Sequence, residues 1–348
     1  MRSFDYSFLE VGMLPAGLVN VVSAVAQLRE RASQRQESHA EIFVRLESIA
    51  KIQSVKGSNA IEGIVTSERR LVEIVNQNSA PLNHNEAEIA GYRNALELLH
   101  QAHATLEVRE QDILQLHALM LALTPAGGGE YKKFDNIISE LDANGRRHLR
   151  FAPTSAAQTP QAMAQLVLAY REARQNHSIH PLLLIPCFVL DFLCIHPFAD
   201  GNGRISRLLS LLLLYKNGFD AVRYISFEEQ INRAKVAYYQ ALKESSLGWH
   251  EGNNSYFPFM EHFVETLLYC HKELDKRFAV VGSKKVNKQR RIEATVLGSL
   301  LPISKAEIAY VLPDISPTTI EAALAKMLKS GQIQKLGSSR GTKYVKRG

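Results

Sequence analysis

The chain has 348 residues, 46% of them hydrophobic and 22% charged, with a formal net charge of +6. That is the composition of a globular chain, and its length fits about two or three domains of roughly 100–200 residues each. Cys187, Cys194 and Cys270 lie in apolar surroundings without metal-ligand spacing, which points to a reduced, cytoplasmic protein, and the leucine-rich runs at 182–195 and 208–214 are too short, and too interrupted by Pro186 and Asp191, to span a bilayer, so no membrane role is expected.

The first residues place Arg2, Asp5 and Glu10 close together without a sustained apolar run, so a secretion signal is not indicated there. Helical spacing covers residues 17–57, where Ile42, Phe43, Leu46, Ile49 and Ala50 form one stripe. Beyond it Ser58 and Glu62, four apart, share a helix face, and Gly63 suits a helix stop. By composition this is a helix end with a surface glutamate. Helical pattern resumes from Thr66 to Leu123: Ser67 opens a short amphipathic turn with Arg70 and Leu71, and longer helices are predicted over Asn83–Gln101 and Glu110–Leu123. The run from Thr124 to Gly129 then breaks the chain. Strands are predicted for Lys132–Ile138 and Arg146–Phe151 about a turn at Asp142-Ala143-Asn144-Gly145, whose Asn-Gly pair is a hairpin signal. Two core helices follow, Ala157–Gln175 and Pro181–Ile195.

Residues 196–207 read His-Pro-Phe-Ala-Asp-Gly-Asn-Gly-Arg-Ile-Ser-Arg and join the apolar run ending at Ile195 to another from Ser206 to Tyr215. Gly201 and Gly203 flank Asn202, so successive N–H groups can converge on one point at the start of the next helix, where amides and dipole favour an anion. Arg204 and Arg207 are three apart, share a helix face and can both reach charge bound there. Asp200 can hold a divalent cation, since Mg2+ takes only one or two protein carboxylates. His196, fixed by Pro197, is placed as a general base. No GxxxxGK[ST] is present, so a P-loop is excluded.

This stretch resembles the signature of the Fic (Fido) family, His-Pro-Phe-x-(Asp or Glu)-Gly-Asn-Gly-Arg-x-x-Arg, at every fixed position. Most enzymes of that family transfer AMP from ATP to a protein hydroxyl and release pyrophosphate. The resemblance implies that His196 deprotonates a Ser, Thr or Tyr hydroxyl and that Asp200 carries Mg2+. It implies further that Gly201, Asn202 and Gly203 line an anion hole, that Arg204 and Arg207 engage the β- and γ-phosphates, and that Ile205 and Ser206 are among the nucleotide-binding positions. Ser58-Asn59-Ala60-Ile61-Glu62-Gly63 resembles the family's inhibitory motif, in which the glutamate, here Glu62, pairs with the second motif arginine, here Arg207. A hairpin ahead of the motif covers the nucleotide in such proteins and can receive a segment of the target as an added strand. Asn136, Ile137 and Ile138 match that flap best. Tyr238 and Tyr239 stand where family members contact the adenine.

After the motif helix, Asn217-Gly218 is a helix stop. Helices are predicted at Glu228–Ser245, with one of the two tyrosines packed and one partly exposed, and at Tyr256–Val281, followed by a linker at Gly282-Ser283-Lys284-Lys285. From Ser283 onward there are 13 Lys and Arg against 4 Asp and Glu, so the basic balance resides in this last segment. Helices at Ile292–Leu300, Lys305–Val311 (capped by Ser304) and Thr318–Lys329 (opened by Ser316-Pro317), then strands about a basic turn with Arg340 and Lys343, resemble a winged helix. Its third helix would enter a DNA major groove, but Thr318, Thr319, Glu321 and Ala322 offer little for base edges, which leaves protein docking or a homodimer as the other possibility. The expected whole is a mainly α, Fic-type helical bundle with a β-hairpin flap: an N-terminal helical region with an inhibitory helix (1–105), a catalytic core (106–282) and a small C-terminal winged helix (283–348). ATP is the expected substrate and a target protein the partner. A nucleotide-sensing transcriptional regulator is the alternative, against which the full set of catalytic positions argues.

Overall fold

The computed structural model describes residues 2–38, 40–141, 146–282, 287–297, 299, 302–312, 315–337 and 342–347. Its centre is set by the two apolar runs. Pro181 starts α7 (Pro181–Ile195), and His180 Nδ1 accepts the N–H of Leu182 as the cap. Proline costs nothing in a first turn, where an N–H would lack a partner. Leu182, Ile185, Phe188, Leu190 and Phe192 are fully buried, as are Leu208, Leu209 and Leu211–Leu214 of α8 (Asn202–Lys216). Helices apolar on all sides must be wrapped by others. The wrapping comes from α1 (Ala16–Ser38), α2 (Ala40–Ile61), α3 (Glu68–Gln77), α4 (His84–Ala102), α5 (Glu110–Leu121) and α6 (Thr159–Gln175), and after α8 from α9 (Ala221–Tyr224), α10 (Phe227–Arg233), α11 (Lys235–Ser246) and α12 (Phe257–Gly282). One buried core runs from Tyr6 to Leu274.

Where sequence and structure differ, packing supplies the reason. The expected single helix over 17–57 is two helices, because α1 lies along α12 whereas α2 lies along α4, α9 and α10; α2 continues to Ile61, and Gly63 ends it with φ +81°. The helix expected over Glu228–Ser245 is broken at Ala234, which leaves helical geometry (φ −104°, ψ 27°) while its N–H still bonds Gln230 O and Ile231 O. Tyr238 is buried and Tyr239 half-buried, as their adjacency predicts.

The hairpin forms later in the chain than expected. β1 (Ile138–Leu141) pairs antiparallel with β2 (Arg147–Phe151), Ser139 opposite Leu149 and Glu140 opposite His148, with a bulge at Ile138/Ser139. The turn at Asp142–Gly145 lies outside the described residues. Lys132 to Asn136 is not a strand, because its polar groups go elsewhere: Lys132 N–H donates to Pro197 O (2.8 Å), Lys132 Nζ to Ile195 O (3.1 Å) and Asn136 Nδ2 to Phe198 O (3.1 Å). The segment is moored to the His196–Arg207 loop.

The last unit has its own buried core, from Ile292 to Tyr344. It holds α13 (Lys288–Leu297), α14 (Lys305–Val311), α15 (Pro317–Lys329) and a sheet in the order β3 (Ile303–Ser304), β5 (Lys343–Lys346), β4 (Ile333–Leu336). Ser304 and Glu307 form a reciprocal capping box on α14. The short β3, paired through Ile303 with Tyr344, carries too few residues to show a period in the sequence. The linker residues 283–285 and Arg340 lie outside the described residues. Arg45 of α2 reaches this unit and donates to Glu307 O (2.9 Å). Among the described residues no helix is long and apolar enough to cross a membrane.

Candidate active site

His196 ends α7 in the left-handed region (φ 52°, ψ 60°), a conformation that L-residues rarely adopt and that turns the chain out of the helix. Its Nδ1 lies 3.2 Å from Leu193 O. A carbonyl only accepts, so Nδ1 carries the proton and Nε2 presents a lone pair. Burial pushes the imidazole pKa down to about 4, with the nearby Lys132 adding to that and the Leu193 bond opposing it. The ring is therefore neutral at physiological pH and able to take a proton.

The loop after His196 is held by its own side chains. Asn202 Oδ1 accepts the N–H of Phe198 (2.9 Å) and its Nδ2 donates to Phe198 O (2.8 Å). His117, stacked on Phe198 at 3.7 Å, donates through Nε2 to Asp200 O (3.1 Å) and accepts the Gly129 N–H at Nδ1 (2.9 Å). Gly201 takes φ +80° to enter α8. The first N–H groups of α8 have no acceptor within the helix and point out of its N-terminus.

Several sequence expectations change here. The Asn202 side chain is a buried staple, which leaves only its main chain to face an anion. Ile205 is core and its N–H is spent on Gly201 O (2.9 Å). Ser206 Oγ donates to Gly203 O (2.7 Å). Neither side chain is free for a nucleotide. Arg204 does not share a ligand with Arg207: it is ion-paired with Glu88 of α4 and donates to Asp200 Oδ2 (3.1 Å), with 1% of its side chain exposed. Three residues along a helix rotate a side chain about 60° from overlap, enough for α4 to take one guanidinium and α2 the other.

Arg207 turns to α2. Its Nε donates to Ser58 Oγ (2.8 Å), and its Nη2 to Ser58 O (3.0 Å) and Glu62 Oε1 (2.8 Å). Burial opposes the charge on Arg207, yet Glu62 more than restores it, so its pKa is raised. Glu62 also packs on Gly203, where an added Cβ would collide with its carboxylate and meet Arg207 Nη1 at 3.2 Å.

These groups open onto a cavity of about 380 Å3 lined by His196, Gly203, Arg207, Glu62, Tyr238 and Tyr239, with Ile137, Ile138 and Ser139 of the hairpin on its other side. Asn136 is not in that lining. It faces a neighbouring cavity of about 650 Å3 with Asp200, His117 and Lys132. Asp200, with 70% of its side chain exposed, bonds the Gly201 N–H through Oδ1 (2.6 Å). No group of three metal-ligating side chains exists among the described residues. A single exposed carboxylate at a helix N-terminus nonetheless fits Mg2+, whose shell substrate oxygens and water complete.

Three residues escape the sequence reading. Lys132, 5% exposed with its pKa lowered by burial to about 8, stands beside His196; only its place after Gly129-Glu130-Tyr131 hinted at it. His117 offered no signal on α5 beyond a lone polar ring on an apolar face. Arg150 lines the first cavity over the Tyr239 ring (6.0 Å), and its signal was a cation on a flap strand.

Comparison with known proteins agrees with this geometry. Residues 107–214 match the Fic/DOC family. The chain is 27% identical over 207 residues to Protein adenylyltransferase Fic of Nematostella vectensis, covering 57% of this chain and 44% of that one. It is 32% identical over 118 residues to the protein of the same name from Drosophila grimshawi, covering 34% and 22%. The chain thus spans less than half the length of the curated relatives it matches. The crystal structure of a Fic family protein from Desulfovibrio desulfuricans G20 has a similar fold over 97% of this chain and 98% of its own, with TM-score 0.60 at 22% identity. Signature, matched segment and fold coincide on α7, α8 and the loop between them, and residues 107–214 form a segment of the Fic/DOC family.

Proposed function

We propose that the protein transfers AMP from ATP to a hydroxyl of a target protein and is held in a resting state by Glu62. The observation that carries this reading is the arrangement at the start of α8: the open Nε2 of a neutral His196, the amide-bearing helix N-terminus, and Arg207 engaged by Ser58 and Glu62. The names of the relatives, protein adenylyltransferase, support the same reading.

In this reading the target hydroxyl oxygen attacks the α-phosphorus. Its proton passes to His196 Nε2, the bond from the α-phosphorus to the bridging oxygen of the β-phosphate breaks, and pyrophosphate leaves. Main-chain N–H groups at Asn202 and Gly203 stabilise the phosphate charge. Mg2+, held by Asp200, would neutralise phosphate oxygens. Tyr239 and the hairpin shape the nucleotide and acceptor sides of the cavity. Arg204, engaged by Glu88, fixes α8 rather than the nucleotide. With Arg207 occupied, a γ-phosphate lacks its cation and ATP does not settle productively. The C-terminal unit is read as a winged helix, on its three helices and three-stranded sheet.

Incubation with ATP and Mg2+ followed by intact-mass measurement tests the reading. The Glu62→Gly variant should accumulate AMP adducts, on itself or on protein from a lysate, and Glu62→Gly with His196→Ala should accumulate none. No adduct on any protein with the Glu62→Gly variant, or adducts that survive loss of His196, would overturn it.

A further inference from the structure

Remote from the nucleotide cavity, α1, α9 and α12 enclose a second kind of space. It is a cavity of about 150 Å3 whose lining includes Arg29, Ser33, Phe43, Asp220, Tyr224 and His271. His271 lines it and is 2% exposed, yet neither ring nitrogen has a hydrogen-bond partner among the described residues. A buried imidazole with both nitrogens open is rare in a finished core and calls for an occupant. Arg29 is the second observation. Its guanidinium stands 5.0 Å over the Phe219 ring, with Nη2 packed against Gly218 where any side chain would displace it. Held in that way, it makes no hydrogen bond or ion pair among the described residues, and neither does the carboxylate of Asp220 at the rim.

We propose that this cavity binds a small carboxylate that also carries a hydrogen-bond donor, an α-hydroxy or α-amino acid. A planar guanidinium with its donors unspent matches a carboxylate in a two-pronged bond. Asp220 rejects a bare anion and requires a donor in the same molecule, either a hydroxyl or an ammonium. His271 and the Ser33 hydroxyl supply the remaining donor and acceptor, while Phe43 and Tyr224 give an apolar wall to a short side chain. Burial and the neighbouring Arg29 push the His271 pKa down to about 4, so the imidazole is neutral and offers one donor and one acceptor.

Isothermal titration of the full chain with L-serine, L-lactate, acetate and inorganic phosphate tests this, together with thermal unfolding. L-serine or L-lactate should bind with one-to-one stoichiometry and raise Tm, with acetate weaker by about tenfold or more for want of a charge-assisted hydrogen bond. Arg29→Met and His271→Leu should each abolish binding, and Asp220→Asn should erase the preference over acetate. Arg29 is a surface residue, so its variant keeps the test open should His271→Leu fail to fold. None of the four probes binding at millimolar concentration would overturn the proposal. So would acetate or phosphate binding as well as the hydroxy and amino acids, or binding undiminished in Arg29→Met. AMP transfer enters none of these readouts, so the site stands or falls apart from the catalytic reading.

Discussion

Arg204 and Arg207 sit one turn apart on α8, each with 2% or less of its side chain exposed, and they are held by opposite kinds of partner. Arg204 is paired with Glu88, which is itself 8% exposed, lies inside α4 and is bonded by His84 (2.8 Å). That partner cannot leave without opening the scaffold. Arg207 is paired with Glu62, which is 33% exposed and lies just past the last residue of α2, against Gly63. That partner can swing into solvent when a single turn frays. In the function proposed above, the same residue type at the same burial is a fastener in one place and a releasable latch in the other. The spacing of the signature supplies the two cations, and the neighbouring helices decide what each is for.

The largest expected effect falls at His196, on the cavity that Arg207 also lines. His196→Ala in a Glu62→Gly background should reduce AMP transfer by roughly 10²–10⁴-fold, the usual contribution of a positioned base, while nucleotide binding, followed by titration with ATP, stays close to that of the parent. A small loss of rate would exclude His196 as the base.

The fastener should show itself in stability. Arg204→Ala leaves Glu88 buried beside His84 without its cation, and breaking such a pair typically costs ~3–5 kcal/mol. Arg207→Ala frees a carboxylate that can reach water, so its cost should be clearly smaller. Urea midpoints of the two variants measure the difference. Equal losses would break the distinction between fastener and latch.

The latch should show itself in rate. Glu62→Gly should raise AMP transfer about tenfold or more, which corresponds to releasing ~1.4 kcal/mol or above from the resting state. Arg207→Ala should not reproduce the gain, because the γ-phosphate loses its cation as the brake is lost. Initial rates of the two single variants and the double variant decide this. A double variant as fast as Glu62→Gly would deny Arg207 its role.

How much of this was legible beforehand follows the same division. Helix starts written locally came through: Ser304 caps the helix expected of it, and Ser67, Asn83 and Ser316, where a turn or helix was expected to open, each cap one. So did α7 and α8, whose apolar runs leave no other place for them. The signature placed His196, Gly203 and Arg207 on one cavity, with Asp200 on the neighbouring one. What the sequence could not give was partner choice across the fold. Glu88 lies 116 positions from Arg204, and no local pattern distinguishes it from Glu86, which serves Arg70 instead. The Lys132 segment read as a strand because it leads toward an Asn-Gly turn signal, but its polar groups found the carbonyls of Ile195, Pro197 and Phe198 before a second strand. Asn202 was legible as a member of the loop and not as its staple, since an amide that closes on the main chain four residues earlier looks in sequence like one that faces a ligand.

The smallest expected effect is a pH dependence that fails to appear where histidine usually titrates. Burial holds His196 near 4 rather than 6.5, and burial moves His117, which steadies the Asp200 carbonyl, in the same direction. In the folded protein the His196 ring stays neutral as pH falls from 7 toward 5, so kcat/KM of the Glu62→Gly variant, which reports the free enzyme, should change by less than about twofold over that range. The acid limb should begin only as pH approaches 4. Stability runs the other way over the same interval. The unfolded chain gains a proton on His196 as pH drops below 6.5 while the folded chain does not, so folding is progressively weakened between 6.5 and about 4, and the lowered pKa of His117 acts in the same direction. The assay therefore needs circular dichroism at each pH to separate lost fold from lost base. An acid limb near 6.5 in protein that is still folded would mean a water-exposed imidazole at 196, and the neutral base beside the latch would have to be abandoned.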